Sequence, residues 1–256
     1  MAIIIKSPRE IALIRESAKI LSETFKILRA HTRPGISTYE LDKIAERFIR
    51  GKGAIPSCKG YEGFPSAICI SVNETLIHGI ASKKIILKEG DIVSYDLLVT
   101  KNGYTADAAR TVPVGKISEE AEKLIKVTRE SFFKGVKQVK AGAHVGDISH
   151  EIQLYNEMHG YSLTDMFGGH GVGREVHEDP IIPNVGHAGS GPRLKAGMVI
   201  AIEPMVNLGR KEVEIMDDDR TVKTVDRKIC AHYENTVVVT DTGYEILTLE
   251  EGEEII

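Results

Sequence analysis

Two aspartates interrupt apolar, β-rich runs on either side of Asn102-Gly103: Asp96 in Ser94-Tyr95-Asp96-Leu97-Leu98-Val99-Thr100, and Asp107 in Tyr104-Thr105-Ala106-Asp107-Ala108. Asn-Gly between such runs predicts a two-residue hairpin turn, because both central positions of that turn need positive φ. With that turn, Asp107 pairs with Leu98, and Leu98 shares a face with Asp96, since side chains alternate with period two. The carboxylates become diagonal neighbours with backbones roughly 7–8 Å apart, close enough to share one ion. Buried without a counter-charge, two such anions repel and resist desolvation. The bland alternative is a solvated hairpin with two surface aspartates. The apolar flank Ile92-Val93 and the run Leu97-Leu98-Val99 argue against it.

A second pair of acids sits in an echo of this stretch. Lys88-Glu-Gly-Asp-Ile-Val-Ser-Tyr-Asp96 resembles Lys195-Ala-Gly-Met-Val-Ile-Ala-Ile-Glu203, with Asp96 opposite Glu203. Asp107, ahead of Arg110-Thr-Val-Pro-Val-Gly115, likewise resembles Glu234, ahead of Asn235-Thr-Val-Val-Val. Four acids meeting on an apolar sheet cannot all stay ionised and unpaired, since each costs several kcal/mol of desolvation. Two divalent cations balance them, and carboxylates can hold such a pair roughly 3.5–4 Å apart in hydrolases. One imidazole would complete an oxygen-rich set suited to Mn, Fe(II), Co or Zn. Among nine histidines, His170, His177 and His78 are candidates, and His232 shares a strand face with Glu234. His31, His144, His150, His159 and His187 read as surface residues near helix ends or in polar loops.

The elements that must position these groups are legible around them. Ser7, Pro8 and Glu10 form a helix start with a capping box, and an apolar face runs to about Arg29. Pro34-Gly35 ends that helix, and Ser37 with Glu40 caps a second one, closed by Gly51 and Gly53. A short strand, 67–72, precedes the hairpin. The plan then repeats: a helix from Ser118 to about Val139, a break at Ala141-Gly142, and a helix from Asp147 to His159. A glycine-rich loop, Gly168-Gly169-His170-Gly171-Val172-Gly173, follows, and then more strands. It lacks the spacing of a phosphate loop. We expect one domain over residues 1–256, built from two related α/β halves at about 7–115 and 118–250.

Composition narrows the partners. The chain has 256 residues and a net charge of −4, which leaves no basic footprint for nucleic acid. Cys58, Cys69 and Cys230 form no C-x-x-C pair, which fits a reducing compartment. The apolar start Ala2-Ile-Ile-Ile5 is too short for a signal peptide, and no run approaches a bilayer span. A cytoplasmic protein without membrane or nucleic-acid partners, working as a monomer, is expected.

The chain resembles the type I methionine aminopeptidases of the pita-bread fold nearly end to end. The resemblance is carried by Cys69-Ile-Ser-Val-Asn-Glu-Thr-Leu-Ile-His78-Gly, Gly90-Asp-Ile-Val-Ser-Tyr-Asp96, Gly103-Tyr-Thr-Ala-Asp107, Gly169-His170-Gly-Val-Gly-Arg-Glu-Val-His177-Glu-Asp-Pro, Ile202-Glu203-Pro204-Met-Val and Tyr233-Glu234-Asn-Thr. It implies an α/β (α+β) fold of two pseudo-symmetric halves, with a curved antiparallel sheet covered by helices. It implies a dinuclear metal centre on Asp96, Asp107, His170, Glu203 and Glu234, with Asp107 and Glu234 bridging. Glu203 is then the candidate general base, His177 and His78 contact the substrate, and Cys58, Tyr61, Phe64 and Cys69 line the methionine pocket. The implied substrates are peptides and nascent proteins that begin with methionine and carry a small second residue. Departures stand at Thr105-Ala106, where the family usually has His-Gly, and at Val176 and Arg220, where it often has aromatics. They bear on the pocket rim and leave the ligands intact. Two other readings compete: a related peptidase that cuts before proline, and a non-catalytic pita-bread binding protein, which would be expected to lose ligands.

Overall fold

The computed structural model describes residues 3–253 and 255. Met1 and Ala2, where the reading of the N-terminus begins, lie outside them. Helix α1 (Pro8–His31) opens on the expected capping box: the Glu10 carboxylate accepts the Ser7 backbone N–H at 2.9 Å, and the Ser7 hydroxyl accepts the Glu10 N–H. Helix α2 (Thr38–Gly51) repeats it with Ser37 and Glu40. Short strands β1 (Ile55–Pro56), β2 (Cys69–Val72) and β3 (Thr75–Ile77) lead to the long hairpin β4 (Ile92–Lys101) and β5 (Tyr104–Pro113). Its turn is Asn102-Gly103, with φ of 53° and 79°. Leu98 pairs with Asp107, the register the turn dictates. The order along the sheet is β1-β4-β2, with β5 on β4.

Alternation divides β4 into two faces. Val93, Tyr95, Leu97 and Val99 pack against Ile14, Leu21, Phe25, Leu28, Leu41 and Ile49 of α1 and α2. Asp96 and Leu98 face the other way. Each fully buried Leu or Ile on the helix side contributes about 1.5–3 kcal/mol.

In the second half come α3 (Glu119–Val136), α4 (Val145–Met158), β6 (Ser162–Leu163), β7 (Gly168–Gly171) and β8 (Glu178–Pro183). Strands β9 (Val199–Ile202), β10 (Met205–Asn207), β11 (Val213–Ile215), β12 (Val222–Thr224), β13 (Cys230–His232), β14 (Asn235–Val239) and β15 (Tyr244–Ile246) follow. The main sheet runs β15-β14-β9-β7-β8, and Phe132, Phe133, Ile148 and Ile152 of its helices cover Ile200, Ile202 and Val237. Equivalent backbone bonds recur in the two halves. Gly35 donates to Leu87 O as Gly142 donates to Leu194 O, and Gly90 to Val114 O as Gly197 to Val239 O. Gly90 and Gly197 share a left-handed φ, 92° and 87°.

The sequence reading needs two corrections. The glycine-rich run placed in a loop is strand β7 over Gly168–Gly171, and its glycines allow close strand approach. A Cβ on Gly169 would stand 2.1 Å from Ala201 O, and one on Gly171 2.3 Å from Asp179 O. The second pair of acids does not sit mid-strand as Asp96 and Asp107 do. Glu203 lies in the break between β9 and β10, where Pro204 has no N–H to continue a ladder, and Glu234 lies between β13 and β14.

Candidate metal centre and active site

The two halves meet where β5 crosses the β13–β14 break. Glu234 N–H donates to Ala109 O at 2.9 Å, and the Thr236 hydroxyl both accepts the Asp107 N–H at 2.9 Å and donates to Asp107 O at 2.8 Å. The Thr111 hydroxyl bridges to the backbone of His232 in the same way. This seam brings Asp107 and Glu234, distant in sequence, side by side.

Around it the predicted ligands converge. His170 Nε2 lies 3.5 Å from Asp107 Oδ2 and 3.8 Å from Glu203 Oε1. Ligand atoms of Asp107, His170 and Glu234 lie within 4.8 Å of one another, and so do those of Glu203, His232 and Glu234. Asp96 belongs to neither trio and flanks them from β4, half-buried. His232, weighed in the sequence only for sharing a face with Glu234, is buried and sits 3.2 Å from Glu203 Oε2.

The electrostatics call for cations. Burial pushes the Asp107 carboxyl well above its ordinary range, and Asp96 and Glu203 push it further. Burial, Asp107 and Glu203 do the same to Glu234. Asp96 is raised by burial, partly offset by His232. Glu203 is held below its usual value: burial opposes this, but His232, His170 and His78 together outweigh it. Asp107 Oδ1 and Glu234 Oε1 are buried with no hydrogen-bond partner. His170 Nδ1 faces Gly171 O at 2.9 Å, an atom that only accepts, so Nδ1 holds the proton and the Nε2 lone pair is free to ligate. Unpartnered carboxylate oxygens and an oriented imidazole fit divalent ions.

Beside the acids lies a cavity of about 610 Å³. Cys58, Phe64, Cys69 and Leu98 form one buried apolar cluster on its wall, with Ile80 and Val176 against it. His78, His177 and Tyr61 also line it. His78 adopts a left-handed φ of 57° and stacks edge-on against Phe167 at 6.2 Å. His177 packs on His170 at 4.3 Å between ring centroids, and its Nδ1 meets the Tyr61 hydroxyl at 2.8 Å. Burial and His170 bring His177 down to about 4, so it is neutral near pH 7. Burial raises the Tyr61 pKa, so its hydroxyl stays protonated and donates. That leaves the His177 proton on Nε2, where it can be donated onward.

Sequence reasoning missed several wall residues. Met166 and Phe167, Met205 and Ile77 border the cavity. The position of Phe167 before the glycine run and of Met205 two after Glu203 were the available signals. Of the departures, Val176 and Arg220 line the cavity, and the Arg220 guanidinium donates to Glu62 O. Thr105 and Ala106 are buried away from it: Thr105 bonds to Gly173 O and Thr100, and Ala106 joins the helix-side core.

Residues 12–241 match the metallopeptidase family M24. The chain is 56% identical over 247 residues to a methionine aminopeptidase of Clostridium perfringens, covering 96% of this chain and 99% of that one. The crystal structure of methionine aminopeptidase from Thermotoga maritima superposes with a TM-score of 0.95 at 41% identity, covering 98% of this chain and all of its own. A prolidase from Pyrococcus furiosus superposes at 0.78 with 26% identity, and this chain spans 66% of its length.

Proposed function

The chain belongs to metallopeptidase family M24, and from that premise we propose a reaction: hydrolysis of the first peptide bond of peptides and nascent proteins that begin with methionine, with a small second residue preferred. It is an aminopeptidase, a metal-dependent hydrolase. The observation that carries the reading is the set of buried carboxylates, two with unpartnered oxygens, beside an oriented imidazole at an apolar cavity. Full-length likeness to methionine aminopeptidases favours methionine over an X-Pro bond. A binding protein without catalysis is disfavoured by the five ligand candidates, all present.

Asp96, Asp107, His170, Glu203 and Glu234 would hold two divalent ions of the Mn, Fe(II), Co or Zn group. When bound, the ions supply Lewis acidity toward the scissile carbonyl and bring the pKa of a water to about 7. The acidic end of the cavity suits the substrate's free α-amine, which fixes cleavage at the first residue. Glu203 accepts a proton from the attacking water and returns it to the leaving amine, a role worth about 10²–10⁴-fold. His177 donates from Nε2 to the carbonyl oxygen as it gains charge, a contribution of about 3–4 kcal/mol. His78 contacts the substrate backbone. Cys58, Tyr61, Phe64 and Cys69 receive the methionine side chain, where size discriminates by about 1–3 kcal/mol per methylene.

The same reading has the chain act as a single-domain monomer in the cytoplasm. Support comes from three buried free cysteines and from the lack, among the described residues, of any helix long and apolar enough to cross a membrane. A metal-titrated assay with Met-Ala-Ser and X-Pro peptides tests the reaction, and Met-Ala-Ser should be the better substrate. Asp107→Asn should lose metal and activity together; an active, metal-free variant would overturn the metal reading.

A further inference from the structure

We propose that Lys6 is a positioning residue for His177, acting through a buried ion pair with Glu178; this rests on the reading of His177 as a substrate contact. Lys6 and Glu178 are 4% and 6% exposed, and the Lys6 ammonium donates to Glu178 Oε2. The other oxygen, Oε1, accepts the backbone N–H groups of Arg174 at 2.9 Å and Glu175 at 3.2 Å. The carboxylate is therefore the hub around which the loop from β7 to β8 is wound, and His177 is the residue before it. Lys6 reaches this hub beneath Gly173, where a Cβ would stand 2.5 Å from Lys6 Cε. Its own backbone is fixed by donation to Gly197 O at 2.8 Å, on the turn before β9. The N-terminal segment thus holds the far side of the loop whose near side carries His177 and Val176 to the cavity.

A buried carboxylate held by two N–H groups still needs a counter-charge. Without Lys6, the loop must open to hydrate Glu178, and the His177 ring moves with it. Ligands outside this loop keep their places. The expected signature is therefore a loss of turnover that passes through His177, with metal retained.

The experiment measures kcat, KM and metal content of Lys6→Met with Met-Ala-Ser, in the native and the His177→Ala backgrounds. In the native background kcat should fall about tenfold or more, with KM and metal content held within about twofold. In the His177→Ala background the same substitution should change kcat by less than about twofold. An equal loss in both backgrounds, or none in the native one, overturns the proposal. If His177→Ala alone leaves kcat unchanged, the reading of His177 itself fails, and the proposal with it. The double variant Lys6→Met/Glu178→Gln leaves neither charge unpaired. Should Lys6→Met alone not fold, the double variant, with no charge left to hydrate, should fold and keep kcat within about threefold of native; a double variant that also fails to fold, or that loses kcat equally with and without His177, overturns the proposal.

Discussion

Glu203 stands between two imidazoles, His232 on one oxygen and His170 on the other. Burial would raise its pKa, but His232 above all holds it below its usual value, while burial raises its neighbours Asp107 and Glu234. One carboxylate in the cluster thereby differs from the rest, and it is the one to which the proposed reaction gives the proton transfer. Glu203→Gln should lower kcat by about 10²-fold or more while leaving KM nearly unchanged, as steady-state kinetics on Met-Ala-Ser would show; an equal kcat removes Glu203 from the chemistry. Tyr61 has two contacts of consequence, the cavity and His177 Nδ1. Tyr61→Phe deletes a hydrogen bond of about 1 kcal/mol, so kcat should drop roughly fivefold, and a proton-sensitive spectrum of His177 should shift with it. At this scale the sequence was most informative where a charged residue broke a period. Asp96 and Asp107 declared themselves by interrupting apolar strands, whereas His232 did not, because one histidine among nine has no period to break.

The helices were legible because caps are local chemistry: Ser7 with Glu10 and Ser37 with Glu40 mark their own boundaries within four residues. The hairpin was legible for the same reason, its register following from two turn residues. Strand β7 was not, because glycine carries no side-chain pattern and its reason for being there lies across the sheet, in Ala201 and Asp179. The break that carries Glu234 was hidden too, since it depends on how β5 crosses the second half, whereas Pro204 marked the break at Glu203. Helix α2 offers a test of its surface charges. Glu46 accepts from Lys43, Lys59 and Arg50, with Lys43 the strongest influence, and is held at about 2. Its folded pKa lies below its unfolded value of about 4.3, so the stability it contributes is complete above that value and lost as pH falls toward 2. The gap in thermal midpoint between the native chain and Glu46→Gln should close over that interval in an acid titration followed by circular dichroism. A gap constant with pH would show that the three cations contribute nothing through Glu46.

For the whole molecule, the seam is both the place where the halves bond and the place where their negative charges collect. Ions that neutralise it bind the folded chain and not the separated halves, so they stabilise the fold by mass action, about 2.7 kcal/mol at a hundred times the dissociation constant. Chelation should lower the melting temperature and added Mn or Co should raise it, as calorimetry would show; a midpoint indifferent to both would mean that the acids are neutralised by protons alone. The seam also has a schedule. Its backbone partners Ala109 and Glu234 lie far apart in the chain, and Arg110 beside them is pinned by Glu253, almost the last residue described. At about 5–20 residues per second of synthesis, the hairpin leaves the ribosome on the order of ten seconds before its partner strand exists. Throughout that wait its aspartates hold half a site, so trimming of other new chains must wait until Glu234 and the strand after it have been made.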